Sequence, residues 1–232
     1  MLERDGVTAI VTPSAPTQSI LNCVLWRDLA ALERQLDALA AAYAAAGVAD
    51  WMVWVAPGDA AAAARLRAAG HELEYETLAM WLALDRLRPP APGGPPCALR
   101  RDGDPRTIAT LNERANGEPE GAFGRALDGL DGDGRFRCWV AEVEGRPASG
   151  LVTFDDGDRC MVQWVATDPV HQRRRLAGRL LHAALADARE RGLRHAALEA
   201  SVEGERLYAG LGFAGLGRLG MWRRARPRAA LP

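Results

Sequence analysis

The sequence contains no lysine, so arginine supplies all 29 of its basic residues. It also holds only three isoleucines against 44 alanines. This composition is typical of a GC-rich genome, and an arginine therefore indicates function only where its position supports one. Excess charge of either sign is absent too, because the net charge is −1. The chain as a whole consequently has no field that would attract nucleic acid or an anionic membrane, and neither is expected as a partner.

Long apolar runs are absent as well. No stretch approaches the roughly 20 residues that span a bilayer, and the first 20 residues contain no apolar segment of a signal peptide. The four cysteines form no CxxC pair, which favours free thiols in a reducing cytoplasm. No group of His, Cys, Asp and Glu has the spacing of metal ligands, so no metal is expected. What remains is an ordinary globular protein with 48% hydrophobic and 25% charged residues.

Proline and glycine are concentrated in one place. Residues 89–96, the Pro/Gly segment, contain five prolines and two glycines, which exclude a helix or a central strand and are typical of an extended spacer. The sequence therefore predicts an N-terminal domain over 1–88, a linker over 89–96 and a second domain over 97–232. Hydrophobic periodicity predicts helices over 26–46, 60–69, 104–115, 176–191 and 204–211, and strands over 51–55, 71–84, 98–101, 136–143, 148–154, 160–167, 196–200 and 212–222.

The two parts share an internal repeat. Residues 47–55 align with 192–200, and residues 66–71 align with 208–213. Both copies consist of a long helix, a glycine, a strand, a short helix, a glycine and a strand. A shared rhythm without common ancestry is the alternative interpretation.

One segment has the pattern of an anion site. A predicted strand ends at Thr167, a short polar turn follows, and a long helix begins near Leu176. The N–H groups of such a turn and of the helix N-terminus form a ring of donors with a positive dipole, which suits a pyrophosphate. Arg173, Arg174 and Arg175 add positive charge at the same point. The alternative is a solvated basic helix start that binds nothing.

Two short motifs give this segment a family context. The first is Gln172-Arg173-Arg174-Arg175-Leu176-Ala177, and the second is Leu207-Tyr208 followed by Gly212-Phe213. In their order, spacing and strand–loop–helix context they resemble the GNAT superfamily of acetyl-CoA-dependent N-acyltransferases, over about residues 97–224. The resemblance implies an α/β fold with a mixed, mostly antiparallel central sheet flanked by helices. A smaller α/β half-domain of similar rhythm would precede it.

The resemblance also implies roles for individual residues. Backbone N–H groups of the turn would hold the pyrophosphate of coenzyme A, and Val165 and Thr167 would pair with the pantetheine arm as an extra strand does. A main-chain N–H near Val165 would polarise the thioester carbonyl. Tyr208, a phenol with an ordinary pKa of about 10, would protonate the leaving thiolate; a buried structural tyrosine is the alternative. The residues assigned to the coenzyme are Val165, Thr167, Gln172, Arg173, Arg174, Arg175, Leu176, Ala177 and Ser201.

Several positions depart from the family pattern. Arg175 stands where glycine is usual, and it is compatible with a cofactor site if its φ is helical; the alternative is a weakened or lost cofactor site. Ser201 and Gly204 replace asparagine and alanine, and Ser201 would either bond the pantetheine or cap the short helix. Met161 replaces a carboxylate that some members use as general base.

The general base is open from sequence. Glu199 is the best carboxylate candidate, with His171 behind it, and a structural carboxylate is the alternative for Glu199. Acidic residues in the loops 116–134 favour a cationic acceptor: Glu118, Glu120, Asp128, Asp131 and Asp133.

The expected activity is transfer of an acetyl group from acetyl-CoA, a co-substrate, to a primary amine of a small molecule or protein. No cysteine lies in either motif, so direct attack in a ternary complex is expected rather than a covalent acyl-enzyme. The alternative is a non-catalytic coenzyme-binding sensor or interaction module on the same fold. The N-terminal copy lacks the arginine-rich turn and has Leu66 in place of Tyr208. It is therefore interpreted as a degenerate half that lines the acceptor cleft or forms a homodimer.

Overall fold

The computed structural model describes residues 1–123, 127 and 134–224. In chain order its strands and helices are β1 (Leu2–Arg4), β2 (Val7–Ala9), β3 (Cys23–Trp26), α1 (Leu29–Ala45), β4 (Met52–Val55), α2 (Ala60–Ala68), β5 (His71–Ala83), β6 (Ala98–Arg100), α3 (Pro105–Asn116), β7 (Phe136–Val143), β8 (Arg146–Asp156), β9 (Arg159–Thr167), α4 (Leu176–Glu190), β10 (His195–Ala200), α5 (Glu205–Leu211) and β11 (Ala214–Arg224). All the predicted helices and strands are present, with ends within three residues of prediction. The strands β1 to β3 were not predicted.

The chain folds as two compact units. The first consists of Met1–Thr77 with the segment that begins at Arg218, and the second is Leu78–Gly217. The division therefore falls within β5 and β11, whereas the sequence predicts a linker at the Pro/Gly segment, which lies inside the second unit. The assignment of 1–88 and 97–232 as functional domains stays a prediction.

The first unit is a mixed sheet with the strand order β1–β2–β3–β4–β11. Among the described strand pairs of this unit, β3 with β4 is the parallel one, and the long helix α1 connects these two strands. The Asp28 side chain begins α1 by accepting a hydrogen bond from the Ala31 N–H at 2.8 Å, as an N-cap residue does. Trp26, predicted inside this helix, instead ends β3, because its backbone pairs with Val7.

The second unit has the strand order β5–β10–β9–β8–β7–β6. Here too a single pair is parallel, β9 with β10, so the predicted mixed and mostly antiparallel sheet is confirmed. Helices α4 and α5 pack on one face through a core that includes Leu151 and Leu181. Helix α3 packs on the other face, where a Cβ at Gly150 would lie 2.7 Å from Ile108. Within the described residues, no helix combines the length and apolar character that crossing a bilayer requires.

Candidate functional site

The candidate site begins where β9 separates from β10. Pairing between the two strands runs from His195 opposite Arg159 to Ala197 opposite Met161, although β9 continues to Thr167 and β10 to Ala200. Beyond Met161 the two strands therefore leave backbone groups facing a gap. Such a gap accepts an extended ligand as an additional strand would, which is the place predicted for Val165 and Thr167.

A β-bulge interrupts β9 in this unpaired part. Gly150 pairs with Ala166 and Val152 pairs with Gln163, so Trp164 and Val165 together stand opposite Leu151. Trp164 has a φ of 57°, a left-handed conformation that is uncommon for a bulky residue and marks a constrained position. The bulge turns the backbone of β9 at the centre of the predicted pantetheine contact.

Asp168 organises the turn that follows β9. Its carboxylate accepts a hydrogen bond from the Val170 N–H at 3.1 Å, and its own N–H donates to the Ala148 carbonyl at 3.0 Å. Arg114 of α3 pairs with the same carboxylate at 3.1 Å. An aspartate followed by a proline is a signal for a helical start, so this function of Asp168 was readable from the sequence.

Two residues of the turn have a left-handed backbone. Arg173 and Arg175 have φ of 57° and 64°, and α4 begins directly afterwards without a side-chain cap. Left-handed residues next to right-handed ones make successive N–H groups converge. The first N–H groups of α4 also have no partner inside the helix. Arg175 thus takes the left-handed conformation that glycine favours. The sequence analysis allowed an arginine here on the condition that its φ is helical, and that condition is not met.

The side chains before α4 are exposed to solvent, whereas the first side chain of α4 is buried. Gln172, Arg173, Arg174 and Arg175 are exposed, and the Arg174 guanidinium contacts the His171 Nδ1 at 2.9 Å. The Leu176 side chain is buried in a small cluster with Val143 and Ala148. Leu176 can therefore meet a coenzyme through its N–H alone, whereas the arginine side chains are available to phosphate oxygens.

The Pro/Gly segment packs against this turn. The Pro95 carbonyl accepts a hydrogen bond from Arg179 of α4 at 2.7 Å. A Cβ at Gly94 would lie 2.6 Å from the Arg174 carbonyl oxygen, and a Cβ at Gly93 would lie 3.2 Å from the Arg175 guanidinium. Two glycines without side chains thus leave room for Arg174 and Arg175, a contact that the interpretation as a spacer did not anticipate.

Tyr208 lies on α5 and is 7% exposed. Burial raises the pKa of its phenol to about 12, so the hydroxyl keeps its proton well above neutral pH. The ring lies over the start of α5, where a Cβ at Gly204 would be 2.7 Å from Tyr208 Cε2. Glycine at 204, a departure from the family pattern, is explained by this contact. The Ser201 hydroxyl accepts a hydrogen bond from the Gly204 N–H at 3.3 Å, and its contact with a coenzyme stays a prediction.

Glu199 lies on β10 beyond the last residue that pairs with β9. It is half-buried, and burial raises the pKa of its carboxyl. A carboxylate with a raised pKa is a better proton acceptor near neutral pH than an ordinary one. The role of Glu199 as a base stays a prediction, and the His171 ring contacts Arg174.

The predicted acceptor loop is described only in part. Glu120 is exposed and Glu118 is half-buried, and Asp128, Asp131 and Asp133 lie outside the described residues. A buried carboxylate that the sequence did not single out, Glu113 of α3, accepts hydrogen bonds from the N–H groups of Gly121 and Phe123 at 3.0 and 2.7 Å. Among the residues that the structure covers, no three His, Cys, Asp or Glu side chains are grouped to hold a metal ion.

The sequence was compared with models of protein families and with curated proteins. Residues 98–203 match the model of the acetyltransferase (GNAT) domain; the match includes the turn and ends before Tyr208. No curated protein matches the chain.

Solved structures share the fold at low sequence identity. A GCN5-related N-acetyltransferase from Kribbella flavida matches with a TM-score of 0.65 at 16% identity, over 92% of this chain and 86% of its own. A tandem GNAT protein from the clavulanic acid biosynthesis pathway matches with a TM-score of 0.63 at 18% identity, over 93% and 77%. A functionally unknown conserved protein from Staphylococcus epidermidis matches with a TM-score of 0.66 at 10% identity, over 98% and 94%. Residues 98–203 of this chain are therefore similar to a GNAT acetyltransferase domain, and the chain shares the fold of the GNAT structures.

Proposed function

We propose that the protein transfers an acetyl group from acetyl-CoA to a primary amine, by direct attack in a ternary complex. The observation that carries the proposal is the junction of β9 and α4. A strand that separates from its neighbour runs into a turn with two left-handed arginines, and an uncapped helix follows. An extended thioester arm and a pyrophosphate are the two chemical groups that these features fit.

The coenzyme would be held mainly by backbone groups. N–H groups from Arg173 to Ala177 would bond the pyrophosphate, and the exposed guanidinium groups would add charge-assisted contacts. Val165 and Thr167 would pair with the pantetheine along the unpaired part of β9. The N–H of the bulge residue Val165 would polarise the thioester carbonyl.

Two side chains would carry the proton transfers. The amine nitrogen attacks the thioester carbon, the carbon–sulfur bond breaks, and its electron pair remains on sulfur. Glu199, whose pKa is raised, would take the proton that the amine loses. Tyr208, whose pKa of about 12 keeps it protonated, would donate a hydrogen bond and then a proton to the thiolate. Burial also raises the pKa of Cys160 to about 12, which supports direct attack over an acyl-cysteine intermediate.

The acceptor is proposed to be a cationic amine, such as a polyamine, an aminoglycoside or a protein amine. The carboxylates of the half-buried Glu118 and the exposed Glu120, in the loop that follows α3, support this preference through charge complementarity. A homodimer remains a prediction.

The test is calorimetric titration with acetyl-CoA, followed by assay of thiol release with a panel of amines. We expect binding by the parent protein. Removing a general acid typically costs about a hundredfold in rate or more, so Tyr208→Phe should lower kcat by that order and leave the Kd for acetyl-CoA unchanged.

Three outcomes would contradict parts of this proposal. No binding of acetyl-CoA by the parent protein would overturn it entirely. Binding without acetyl transfer to any amine would favour the non-catalytic sensor. Full turnover by Tyr208→Phe would remove Tyr208 from the mechanism and leave the rest.

A further inference from the structure

The bulge in β9 is held from behind by a buried amide. Asn112 of α3 is 7% exposed, and its Nδ2 donates to the Trp164 carbonyl at 3.0 Å. The same Nδ2 donates to the Ile108 carbonyl at 2.9 Å. Both hydrogens of the amide are thus used, which fixes the orientation of the side chain towards the bulge.

Further contacts from the same region support this arrangement. The Phe123 ring packs edge-to-face on the Trp164 ring, with centroids 5.3 Å apart. Glu113, next to Asn112 in sequence, accepts from the Phe123 N–H at 2.7 Å. A tryptophan with a φ of 57° persists only where its surroundings hold it. Asn112 of α3 therefore holds the backbone of Trp164, and Phe123 of the following loop holds its ring.

The hydrogen bond between Asn112 and the Trp164 carbonyl also orients the next N–H group, that of Val165. The bond between Trp164 and Val165 is trans, like every described peptide bond, so its C=O and its N–H point in opposite directions. With the Trp164 carbonyl held by Asn112 of α3, the Val165 N–H is directed away from α3. The orientation of that N–H is therefore set by Asn112.

We propose that Asn112 is a positioning residue for acetyl transfer: it directs the Val165 N–H at the thioester carbonyl. This inference rests on the proposed function. An electrostatic contact to a carbonyl that gains charge is effective only if the donor is oriented in advance, because reorientation during the reaction costs free energy. Asn112 supplies that orientation without touching the substrate.

The first experiment measures carbonyl polarisation directly, which needs no acceptor. Acetyl-CoA labelled with ¹³C at the thioester carbonyl is titrated into the protein and followed by NMR. In the parent protein we expect the bound carbonyl resonance to move downfield. Asn112→Leu, which keeps the approximate volume and removes the donor, should bind acetyl-CoA and lose most of that shift.

A matched control lies one helical turn away. Asn116 donates to the Asn112 carbonyl at 2.8 Å within the same helix, and within the described residues its side chain forms no hydrogen bond to β9. Asn116→Leu should keep the full carbonyl shift. Complete loss of one such donor costs about a hundredfold or more in kcat. Asn112→Leu keeps the Val165 N–H and loses only its orientation, so with an accepted amine it should lower kcat by about tenfold or more, with little change in KM for acetyl-CoA. Asn116→Leu should change neither constant.

The outcomes separate the two proposals. If the parent protein binds no acetyl-CoA, the proposed function fails and this inference fails with it. If acetyl-CoA binds and Asn112→Leu retains the parent carbonyl shift, only the positioning role is overturned.

If Asn112→Leu does not fold, the parent protein labelled with ¹⁵N-valine decides. The Val165 amide resonance should differ between complexes with acetyl-CoA and with coenzyme A, whose thiol offers no carbonyl. Identical Val165 resonances in the two complexes would overturn the inference.

Discussion

Each unit contains a strand, a long helix, a strand and a short helix in succession, β3–α1–β4–α2 in the first and β9–α4–β10–α5 in the second, and the start of the long helix differs between them. In the first unit, β3 leads into α1, and Asp28 places a carboxylate on the helix N-terminus. In the second, β9 leads into α4, and Arg175 occupies the same place with a left-handed backbone and no side-chain cap. A carboxylate at a helix start satisfies one of the free N–H groups and opposes the approach of a second anion. Of these two helices, α4 is the one whose start has no such carboxylate.

The strands that precede these helices also differ: β3 is joined to its neighbour at its end, whereas β9 separates from its neighbour. In the first unit, the Trp26 indole donates to the Trp54 carbonyl at 2.7 Å, joining the ends of β3 and β4 through a side chain. In the second, β9 and β10 separate after Met161 and Ala197. The repeat places Trp54 opposite Glu199 in the alignment. Where the first unit has an indole ring, the second has the carboxylate proposed as base.

The largest expected effect tests that carboxylate. Glu199→Gln should lower kcat by about a hundredfold, the usual contribution of a general base. The pH profile should change as well. In the parent protein, kcat/KM should rise as the pH increases through the raised pKa of Glu199, because the active form is deprotonated. Glu199→Gln should lose this limb, which a series of initial rates against pH would measure.

The pH dependence of the free energy of unfolding tests the pKa of the same residue independently. Because burial raises the pKa of Glu199, the native state keeps this proton to a higher pH than the unfolded chain does. The free energy of unfolding therefore falls as the pH rises through that interval. At neutral pH, Glu199→Gln should have a Tm at least equal to that of the parent. Glu190→Gln, at an exposed position on α4, is the control. If kcat/KM of Glu199→Gln still rises with pH as in the parent protein, Glu199 is excluded as the base.

The next effect tests the difference between the two helix starts. Arg175→Asp gives α4 the carboxylate that Asp28 gives α1. It should weaken binding of acetyl-CoA about tenfold, equivalent to roughly 1.4 kcal/mol, since the carboxylate repels the phosphates and competes for the N–H groups. Calorimetry would measure the Kd.

The control for this change is the same substitution at the other end of the helix. Arg189 is exposed in the last turn of α4, so Arg189→Asp makes the same charge change far from the turn. It should leave the Kd unchanged. Equal weakening by both variants would mean that net charge, and not the helix start, governs binding.

The order of elements and the turn were predictable because each depends on local sequence. Leu32, Leu36 and Leu39 recur at helical spacing and are buried, and Asp104 caps α3 as its position before Pro105 predicts. Contacts that join distant segments were not predictable. Nothing in the spacing of Asn112 indicates that it meets Trp164, 52 residues away.

The backbone of the turn was not predictable either. A left-handed φ at Arg175 contradicts the preference of the residue type, and the contact of its guanidinium with Gly93 joins segments about 80 residues apart in sequence. Strands β1 and β2, of three residues each, are too short to show an alternating pattern. The local signal therefore defines the fold class, while the fine geometry of the site comes from tertiary contacts.

The smallest expected effect is confined to the first unit. Trp26→Phe removes the indole N–H and leaves the Trp54 carbonyl without that donor, at a cost of about 1–2 kcal/mol. A thermal melt should show a lower Tm, while the Kd for acetyl-CoA should remain that of the parent.

The control for Trp26→Phe loses an indole N–H that has no partner. The Trp139 Nε1 is buried without a hydrogen bond in the described structure, so Trp139→Phe loses a similar ring area and no hydrogen bond. If the side chain of Trp26 joins β3 and β4, the variant at 26 should be less stable than the variant at 139 by about the free energy of that bond. Equal losses would show that ring packing alone stabilises the ends of β3 and β4. A change in acetyl-CoA affinity in Trp26→Phe would contradict the distinction itself, because it would give the first unit a part in coenzyme binding.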